Sequence, residues 1–356
     1  MLFFKVNKLL IALFIMPVTC LVVADDLLIY NWARNLGADT AAEFEKTSGN
    51  TIREAYYDNE GDRNRNILAV NAINYDIFMM DSDTVDLFGE SGLLYNIAEL
   101  PVSKVENQGQ QYIDACGPYG MPYAWGSIGI AYRTSIIKEE ITSWTQLFNP
   151  PVEVGKRIMM PLDDFGTISV LLLALGKDMA SENIADFRQA LELLKQQMPY
   201  VKDYSLGMTY AEQKGELSDI VMVMAFSGNA EEIVATTGQT DWKYVVPKEG
   251  VPLWVDCWAI PKTNNTPQLA IKFLSHLNDD KVAAANSLEV WHSPTNIAAL
   301  AHLSDEFFKD KEVNPSAAVM ARSYPEPHLS SAALKLRQWL VFSAKTNFKM
   351  MKDNNK

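Results

Sequence analysis

Short apolar runs alternate with amphipathic segments along most of the chain. In the first third, the predicted strands are 26–32, 51–57 and 75–80, and the predicted helices are 40–49, 62–72 and 84–92. Gly49 follows the last apolar position of the first helix and is a typical helix stop. Alternation at these lengths predicts βαβ units and a largely parallel sheet.

A second series of alternating segments follows residue 126. Its predicted strands are 127–133, 157–161, 219–226, 242–247 and 253–261, and its predicted helices are 143–148, 168–176, 182–198, 227–235 and 266–277, with further helical segments beyond. Helical spacing is clear at Ile184, Phe187, Leu191 and Leu194. Two α/β lobes fit this number of elements better than one large sheet. The 356 residues, 48% hydrophobic and 21% charged, suit about two globular domains.

The first 24 residues have the pattern of a cleaved secretory signal peptide. Lys5 and Lys8 precede an apolar run, and the small-residue exit ends at Ala24. An uncleaved membrane anchor is the alternative, and Pro17 argues against it. No later segment approaches the roughly 20 apolar residues that span a bilayer. The sequence therefore predicts a soluble, exported mature protein.

Cleavage after Ala24 changes the charge and the cysteine content. Loss of Lys5 and Lys8 takes the formal net charge from −13 to −15, which argues against a nucleic-acid partner. Loss of Cys20 leaves Cys116 and Cys257, which an oxidising compartment allows to pair. Sequence alone leaves that pairing open, because a disulfide needs two cysteines close in space. The spacing of a zinc site is absent.

Motifs for catalysis are weak. The four histidines do not form an HExxH motif, and no GxSxG elbow, P-loop or GxGxxG is present. Asp163 and Asp164 form an acid pair that could serve a hydrolase or bind a metal. Such pairs are more often solvated loop residues or helix caps. We expect no enzyme activity, no metal and no cofactor.

Aromatic and acidic side chains instead collect at the predicted carboxyl ends of strands. They are Trp32, Asp81, Asp83, Asp163, Asp164, Phe226, Trp254 and Asp256, and Ser82 lies between the first two acids. Ligands of open parallel α/β sheets bind at these ends. Carboxylates bind ammonium groups through charge-assisted hydrogen bonds of roughly 1.5–3 kcal/mol, and aromatic faces add roughly 0.5–2 kcal/mol each. The pattern predicts a site for an organic cation.

The stretch "PLWVDCWAIP" places Asp256 within a predicted buried strand, between Trp254 and Trp258. A buried unpaired charge costs several kcal/mol, so either the protein or a ligand must supply a partner. Trp258 shares a strand face with Asp256, and either the site or the core could contain it.

Seven segments occur in the order typical of one family: "LLIYNW", "YDIFMMDSDTV", "MPYAWGSIGIAYR", "SWTQLFNP", "VVPKEG", "LWVDCWAIP" and "SPTNIAAL". The chain resembles the periplasmic spermidine/putrescine-binding proteins of bacterial polyamine importers, from about Leu27 to Ala299. The resemblance implies a type II periplasmic binding protein fold, with mostly parallel sheets in two lobes and a polyamine held in the cleft between them. It also implies a periplasmic location and no chemistry on the ligand.

The resemblance assigns roles to individual residues. Trp32 matches a tryptophan that lies against the aliphatic chain of the ligand. Trp254 and Asp256 match the tryptophan and aspartate that enclose and pair with an amine, and Asp164 matches a carboxylate near the same amine. Phe226 stands where the spermidine-binding member has a tryptophan.

Four positions depart from the family pattern. Asn35 replaces a tyrosine, Arg34 stands at an acidic position, and Thr167 replaces a glutamate that the family places near the bound amine. A cation at Arg34 weakens amine binding unless it points away. Asp83, with Asp81 and Ser82 nearby, adds carboxylates at the other end of the site, unless these acids only cap the following helix. The departures imply a ligand of different length or charge spacing.

The resemblance also predicts the organisation of the lobes and the partners. The first lobe is predicted to comprise 25–130 plus 259–300, and the second 131–258 plus 301–356. Strand crossings are expected near 129–132 and 257–259, with lobe closure on binding. The expected partner of this monomer is an inner-membrane ABC permease. The alternatives are a membrane signalling protein, such as a cyclic-dinucleotide enzyme, or, remotely, hydrolysis by Asp163/Asp164.

Overall fold

The computed structural model describes residues 26–57, 60–69, 73–163, 165–325, 327 and 329–354. The predicted signal peptide and Asp164 therefore lie outside the described residues. The strands are β1 (Asp26–Trp32), β2 (Thr51–Tyr57), β3 (Ile77–Asp81), β4 (Met121–Arg133), β5 (Ile158–Met159), β6 (Val201–Asp203), β7 (Met222–Phe226), β8 (Trp242–Val245), β9 (Pro252–Ala259), β10 (Ser293–Pro294) and β11 (Tyr324–Pro325).

The helices alternate with these strands along the chain. They are α1 (Ala38–Ser48), α2 (Glu60–Leu68), α3 (Ser82–Glu90), α4 (Gln110–Cys116), α5 (Thr145–Phe148), α6 (Gly166–Ala174), α7 (Ile184–Gln197), α8 (Gly207–Lys214), α9 (Asn229–Thr237), α10 (Gln268–Leu277), α11 (Asp280–Val290), α12 (Asp305–Lys309), α13 (Ala317–Met320) and α14 (Ser331–Asn354). In the described part of the chain, none of them is long and apolar enough to cross a membrane.

Several predicted elements form with the expected bounds. β1 and β2 coincide with the predicted strands, and their parallel pairing is the first βαβ unit. α1 ends at Gly49, whose φ of 75° is a left-handed conformation that suits glycine. β4 begins six residues before the predicted start and includes Pro122. The proline is tolerated there because it lies beside an irregularity in the ladder with β9, where a backbone N–H is not required.

The strands form one path in the order β2-β1-β3-β9-β4-β7-β5-β6. At its two ends, β1 pairs in parallel with β2 and β3, and β5 pairs in parallel with β6 and β7. The two long central strands, β4 and β9, run antiparallel to each other and to β7 and β3. The parallel ends carry the strand–helix alternation that the sequence predicts, and the central strands join them.

β4 connects the two halves of the sheet. It pairs with β9 up to Ser127, and from Ile128 onward with β7 and then β8. We call β1, β2, β3, β9 and the start of β4 the first half, and the rest of β4 with β5–β8 the second half. β4 thus changes partner just before the predicted crossing at 129–132. The lobe bounds themselves stay a prediction.

Each half encloses its own hydrophobic core. The first core contains Leu27, Ile29, Phe44, Ile77, Met79, Trp258 and Phe273. The second core contains Ile130, Trp144, Phe148, Ile158, Leu171, Phe187 and Leu340, the last of them from α14. Along β9, Trp254 packs against the second core, whereas Trp258 is buried in the first. Asp256 therefore lies where β9 passes from one core to the other.

A disulfide joins the end of α4 to β9. Cys116 and Cys257 have Cα atoms 5.9 Å apart and are fully buried. The sequence leaves this pairing open, and the structure contains it. The bond fixes the residue next to Asp256 in β9, and thereby anchors the strand at the junction of the two cores.

We predict that replacing both Cys116 and Cys257 by Ser lowers the free energy of unfolding by about 2–5 kcal/mol, because the crosslink restricts the unfolded chain. Urea denaturation followed by circular dichroism measures the change. Wild-type protein in reductant should lose the same amount, and the double variant should not respond to reductant. Equal stability of oxidised wild type and double variant would contradict the prediction.

Candidate ligand-binding site

Asp256 lies at the centre of the candidate site. It is in the middle of β9, opposite Asp81 of β3 on one side and Ala124 of β4 on the other. Only 9% of the residue is exposed. Trp254 precedes it by two positions, so both side chains leave the strand on the same face.

A chain of hydrogen bonds holds the Asp256 carboxylate. Asn35 Nδ2 donates to Asp256 Oδ2 at 2.9 Å, and Asn35 Oδ1 lies 3.1 Å from His292 Nδ1. Because the amide nitrogen donates to a carboxylate, the amide oxygen is the acceptor and His292 Nδ1 must donate. Burial lowers the pKa of His292 to about 4, so the ring is neutral at pH 7, and Nε2 has a free lone pair.

The backbone near Asn35 is fixed by a second set of contacts. The Tyr123 hydroxyl donates to the Asn35 carbonyl oxygen, and Asn286 Nδ2 donates to the same hydroxyl at 2.7 Å. Asn286 Oδ1 in turn accepts from the backbone N–H of Gly37 at 2.9 Å. These bonds tie the β1–α1 loop to β4 and α11, and so place Asn35 against Asp256.

Aromatic rings line both sides of the site. The Trp254 ring meets Phe226 edge-on at 6.4 Å between centroids and His292 at 5.4 Å. On the first-half side, Trp32 lies 4.4 Å from Tyr57. Phe226 and Trp32, from opposite halves, are both partly exposed. Each half thus contributes an aromatic pair, and Trp254 shares a face of β9 with Asp256.

Asp81 is already engaged by the protein. Arg63 Nη2 donates to Asp81 Oδ1 at 2.6 Å, and the backbone N–H of Thr84 donates to Asp81 Oδ2 at 2.9 Å. Asp81 therefore caps α3, which is one of the two roles that the sequence leaves open for it. Burial pushes the pKa of Asp81 upward, but the Arg63 guanidinium and the Thr84 hydrogen bonds outweigh burial and hold the pKa below its usual range.

Ser82 and Asp83 begin α3, directly after Asp81. Ser82 is buried and Asp83 is partly buried. Both lie at the carboxyl end of β3, beside the strand that carries Asp256. Their predicted contact with a ligand stays a prediction.

Asp163 lies just before α6, and Thr167 is the second residue of that helix. Asp163 Oδ1 accepts from the backbone N–H groups of Phe165 and Thr167 at 3.0 and 3.1 Å. The Thr167 hydroxyl donates to Pro161 O at 2.8 Å, and Thr167 is fully buried. The Asp163 carboxylate is thus hydrogen-bonded to backbone groups of its own turn. Within the described ranges, no cluster of three or more His, Cys, Asp or Glu side chains is arranged to hold a metal ion.

Arg34 forms an ion pair with a residue of α9. Its Nη1 lies 2.5 Å from Glu232 Oε1 on α9, so the ion pair joins the β1–α1 loop of the first half to the second half. Glu232 Oε2 also accepts from Asn229 Nδ2 at 3.1 Å. Glu232 therefore pairs with the Arg34 guanidinium, the cation that the resemblance places near the amine site.

The electrostatic state of Asp256 follows from its burial. Burial raises the pKa of Asp256 to about 7, while the Asn35 hydrogen bond lowers it, the Asp81 charge raises it and the Arg63 charge lowers it. Among the ion pairs of the described residues, none includes Asp256. Within the described part of the chain, the Asp256 carboxyl is therefore buried without a cationic side chain paired with it.

Sequence reasoning missed three residues of this region. Tyr57 ends β2 next to Trp32, Arg63 lies in a segment predicted only as an amphipathic helix, and His292 immediately precedes the "SPTN" motif. His292 could have been found from its place beside that motif. β10 pairs with Trp125 and Ala124 and so brings His292 to β4. Trp258, by contrast, is a core residue, only 1% exposed.

Comparisons with known proteins agree with this geometry. The family model described as bacterial extracellular solute-binding protein matches residues 39–315. The match covers more than half of the chain, so the chain belongs to this family. Its class is that of a two-lobed solute-binding protein, as the fold indicates.

Individual relatives narrow the comparison. The chain is 25% identical over 318 residues to a norspermidine sensor of Vibrio cholerae, covering 89% of this chain and 88% of that protein. It is also 25% identical over 304 residues to a spermidine/putrescine-binding periplasmic protein of Salmonella typhimurium, covering 84% and 85%. A solved structure, a putative spermidine/putrescine ABC transporter protein of Listeria monocytogenes, superposes with a TM-score of 0.77 at 24% identity, covering 90% and 98%.

We predict that Asp256→Asn changes the pH dependence of stability of the ligand-free protein. The folded protein holds a proton on Asp256 up to a pKa of about 7, whereas the unfolded chain loses it near its ordinary value. The contribution of Asp256 to stability is therefore complete below about pH 4 and is lost as the pH rises through 7. The melting temperature of the variant minus that of wild type should therefore be larger at pH 8 than at pH 5.

Thermal unfolding of both proteins at the two pH values measures this difference. Asp114→Asn, which changes an exposed carboxylate on α4, is the control and should show no such dependence. If the difference in melting temperature between wild type and Asp256→Asn is the same at pH 5 and pH 8, the pKa of Asp256 is not raised by burial.

Proposed function

We propose that this protein binds a polyamine, such as spermidine, putrescine or norspermidine, in the cleft between its two lobes. The observation that carries the proposal is Asp256. It is a buried carboxylate at the junction of the two cores, held by Asn35 and flanked by Trp254, with no cation in contact with it among the described residues.

An ammonium group is the ligand that such a carboxylate favours. A charge-assisted hydrogen bond to an ion is worth roughly 1.5–3 kcal/mol, more than a bond between neutral groups. A ligand cation also offsets the cost of burying the charge of Asp256. The faces of Trp254, Phe226 and Trp32 would cover the methylene groups and add cation–π attraction of roughly 0.5–2 kcal/mol each.

We propose Trp32, Asn35, Phe226, Trp254 and Asp256 as the main ligand contacts of this site. The Asn35–Asp256 hydrogen bond and the edge-on contact between Trp254 and Phe226 support this proposal. We keep Ser82, Asp83 and Asp164 as proposed ligand contacts at the ends of the cleft, and we assign Asp81 and Thr167 supporting positions, since the protein itself engages their side chains.

The names of the relatives support this ligand class. The Salmonella typhimurium relative is a spermidine/putrescine-binding periplasmic protein, and the Vibrio cholerae relative is a norspermidine sensor. By analogy with the first, we propose that residues 1–24 direct export and are cleaved, and that the mature periplasmic monomer delivers the polyamine to an inner-membrane ABC permease. It performs no chemistry on the ligand.

A sensor role is the second candidate. The similarity to the norspermidine sensor extends over 318 residues. In this role the closed, liganded protein docks on the periplasmic domain of a membrane signalling protein, such as a cyclic-dinucleotide enzyme, and reports polyamine levels. Ligand binding is the same in both roles. The genes beside this one discriminate them, since a transporter requires a permease and an ATPase.

The binding proposal is tested by calorimetry of the mature protein with putrescine, norspermidine, spermidine and spermine. We expect micromolar or tighter binding of at least one of the four. An amino acid and an anionic solute serve as comparison ligands. Binding of either comparison ligand, with none of the four amines bound, would overturn the proposal.

The role of Asp256 is tested on the amine that binds most tightly. Asp256→Asn should weaken binding at least about tenfold, because the bound ammonium loses its buried counter-ion. Asp114→Asn removes the same charge from an exposed position and should leave affinity nearly unchanged. An affinity for Asp256→Asn equal to that of wild type would show that Asp256 is structural only.

A further inference from the structure

Arg63 is a cation built into the first-half side of the site. Its side chain is fully buried. Nη2 donates to Asp81 Oδ1 at 2.6 Å and to Thr84 Oγ1 at 3.0 Å, and Nε donates to Asn64 Oδ1 at 3.0 Å. A buried arginine is retained only where an acidic partner and several acceptors offset its desolvation, and Asp81 is that partner.

The partner of Arg63 stands beside the proposed amine-binding carboxylate. Asp81 and Asp256 are directly opposite each other in the antiparallel ladder of β3 and β9. The Cβ atoms of such cross-strand pairs lie about 4.5–5.5 Å apart, and like charges placed there repel each other. Arg63 neutralises one member of the pair, which permits both acids to occupy this position.

Arg63 also lies over the aromatic ring of Tyr57. Its guanidinium carbon lies 5.3 Å from the centroid of the Tyr57 ring, and Tyr57 packs against Trp32 at 4.4 Å. Burial raises the pKa of Tyr57 well above its usual range, so its ring is neutral beside the guanidinium. The guanidinium thus occupies the position, between an aromatic ring and a carboxylate, that a ligand ammonium would otherwise favour.

We propose that Arg63 is a specificity-determining residue, which withdraws Asp81 from the ligand and sets how much positive charge the site accepts beside Asp256. The inference rests on the proposed polyamine function and deepens it. The ligand places one ammonium at Asp256, and its next charged nitrogen lies away from the Arg63–Asp81 pair. Amines with closely spaced charges are disfavoured by the guanidinium.

Opposite effects on affinity follow for the two members of the pair. Arg63→Gln releases a carboxylate beside Asp256, so it should raise polyamine affinity about tenfold, and more for triamines than for putrescine. Asp81→Asn leaves the guanidinium without a counter-ion and should lower affinity about tenfold, although Asp81 does not touch the ligand. The double variant removes both charges and should bind within about threefold of wild type.

Calorimetry of the mature protein at pH 8 with putrescine, norspermidine, spermidine and spermine measures these affinities. At this pH, which lies above the pKa of about 7 of Asp256, that carboxylate is ionised and the primary amines of all four ligands remain charged. Arg65→Gln, on the exposed side of the same helix, is the matched control and should resemble wild type. Arg63→Lys keeps the charge and should keep the preference among the four amines.

Two results overturn the inference alone. They are single variants that both lower affinity, and a double variant that stays as weak as Asp81→Asn, which would mean that Asp81 itself binds the amine. If Arg63→Gln does not fold, recovery of affinity from Asp81→Asn to the double variant decides the question by itself. Wild-type protein that binds none of the four amines overturns the proposed function instead.

Discussion

The proposed ligand binding depends on the burial of one carboxyl group, that of Asp256. Asp256 is 9% exposed, its pKa is raised to about 7 by burial, and the hydrogen bond from Asn35 supplies no positive charge. A buried anion of this kind is costly unless a cation joins it. Above pH 7, where this carboxyl is ionised, the free protein therefore contains an unfavourable buried charge that an ammonium ligand offsets, and the affinity for the ligand includes that gain.

The surrounding structure places this carboxylate and limits what can reach it. β9 carries Asp256 between the two cores, and the Cys116–Cys257 disulfide fixes the adjacent residue. On the first-half side, Arg63 neutralises the neighbouring Asp81. Across the two halves, the ion pair between Arg34 and Glu232 joins the β1–α1 loop to α9. The same strand junction thus supports both the fold and the candidate site.

Much of this was predictable from the sequence, and the reasons for the rest are physical. Alternating apolar and amphipathic runs predict the strands and helices, since local periodicity reflects burial on one face. The "LWVDCWAIP" segment likewise indicates Asp256 and Trp254. The Asn35–Asp256 hydrogen bond joins residues 221 positions apart, and the partner of Arg63 is likewise set by tertiary packing. No local pattern encodes such pairs, so neither the occupation of Asp81 nor the disulfide follows from sequence alone.

The central claim is tested most directly by counting the protons released when the amine binds. Calorimetry at pH 6 in two buffers of different ionisation enthalpy gives that number. A carboxyl with a pKa of about 7 is about nine-tenths protonated at pH 6 and must ionise to pair with an ammonium. We expect release of close to one proton per ligand in wild type and close to none in Asp256→Asn. Wild-type binding at pH 6 without proton release would contradict it.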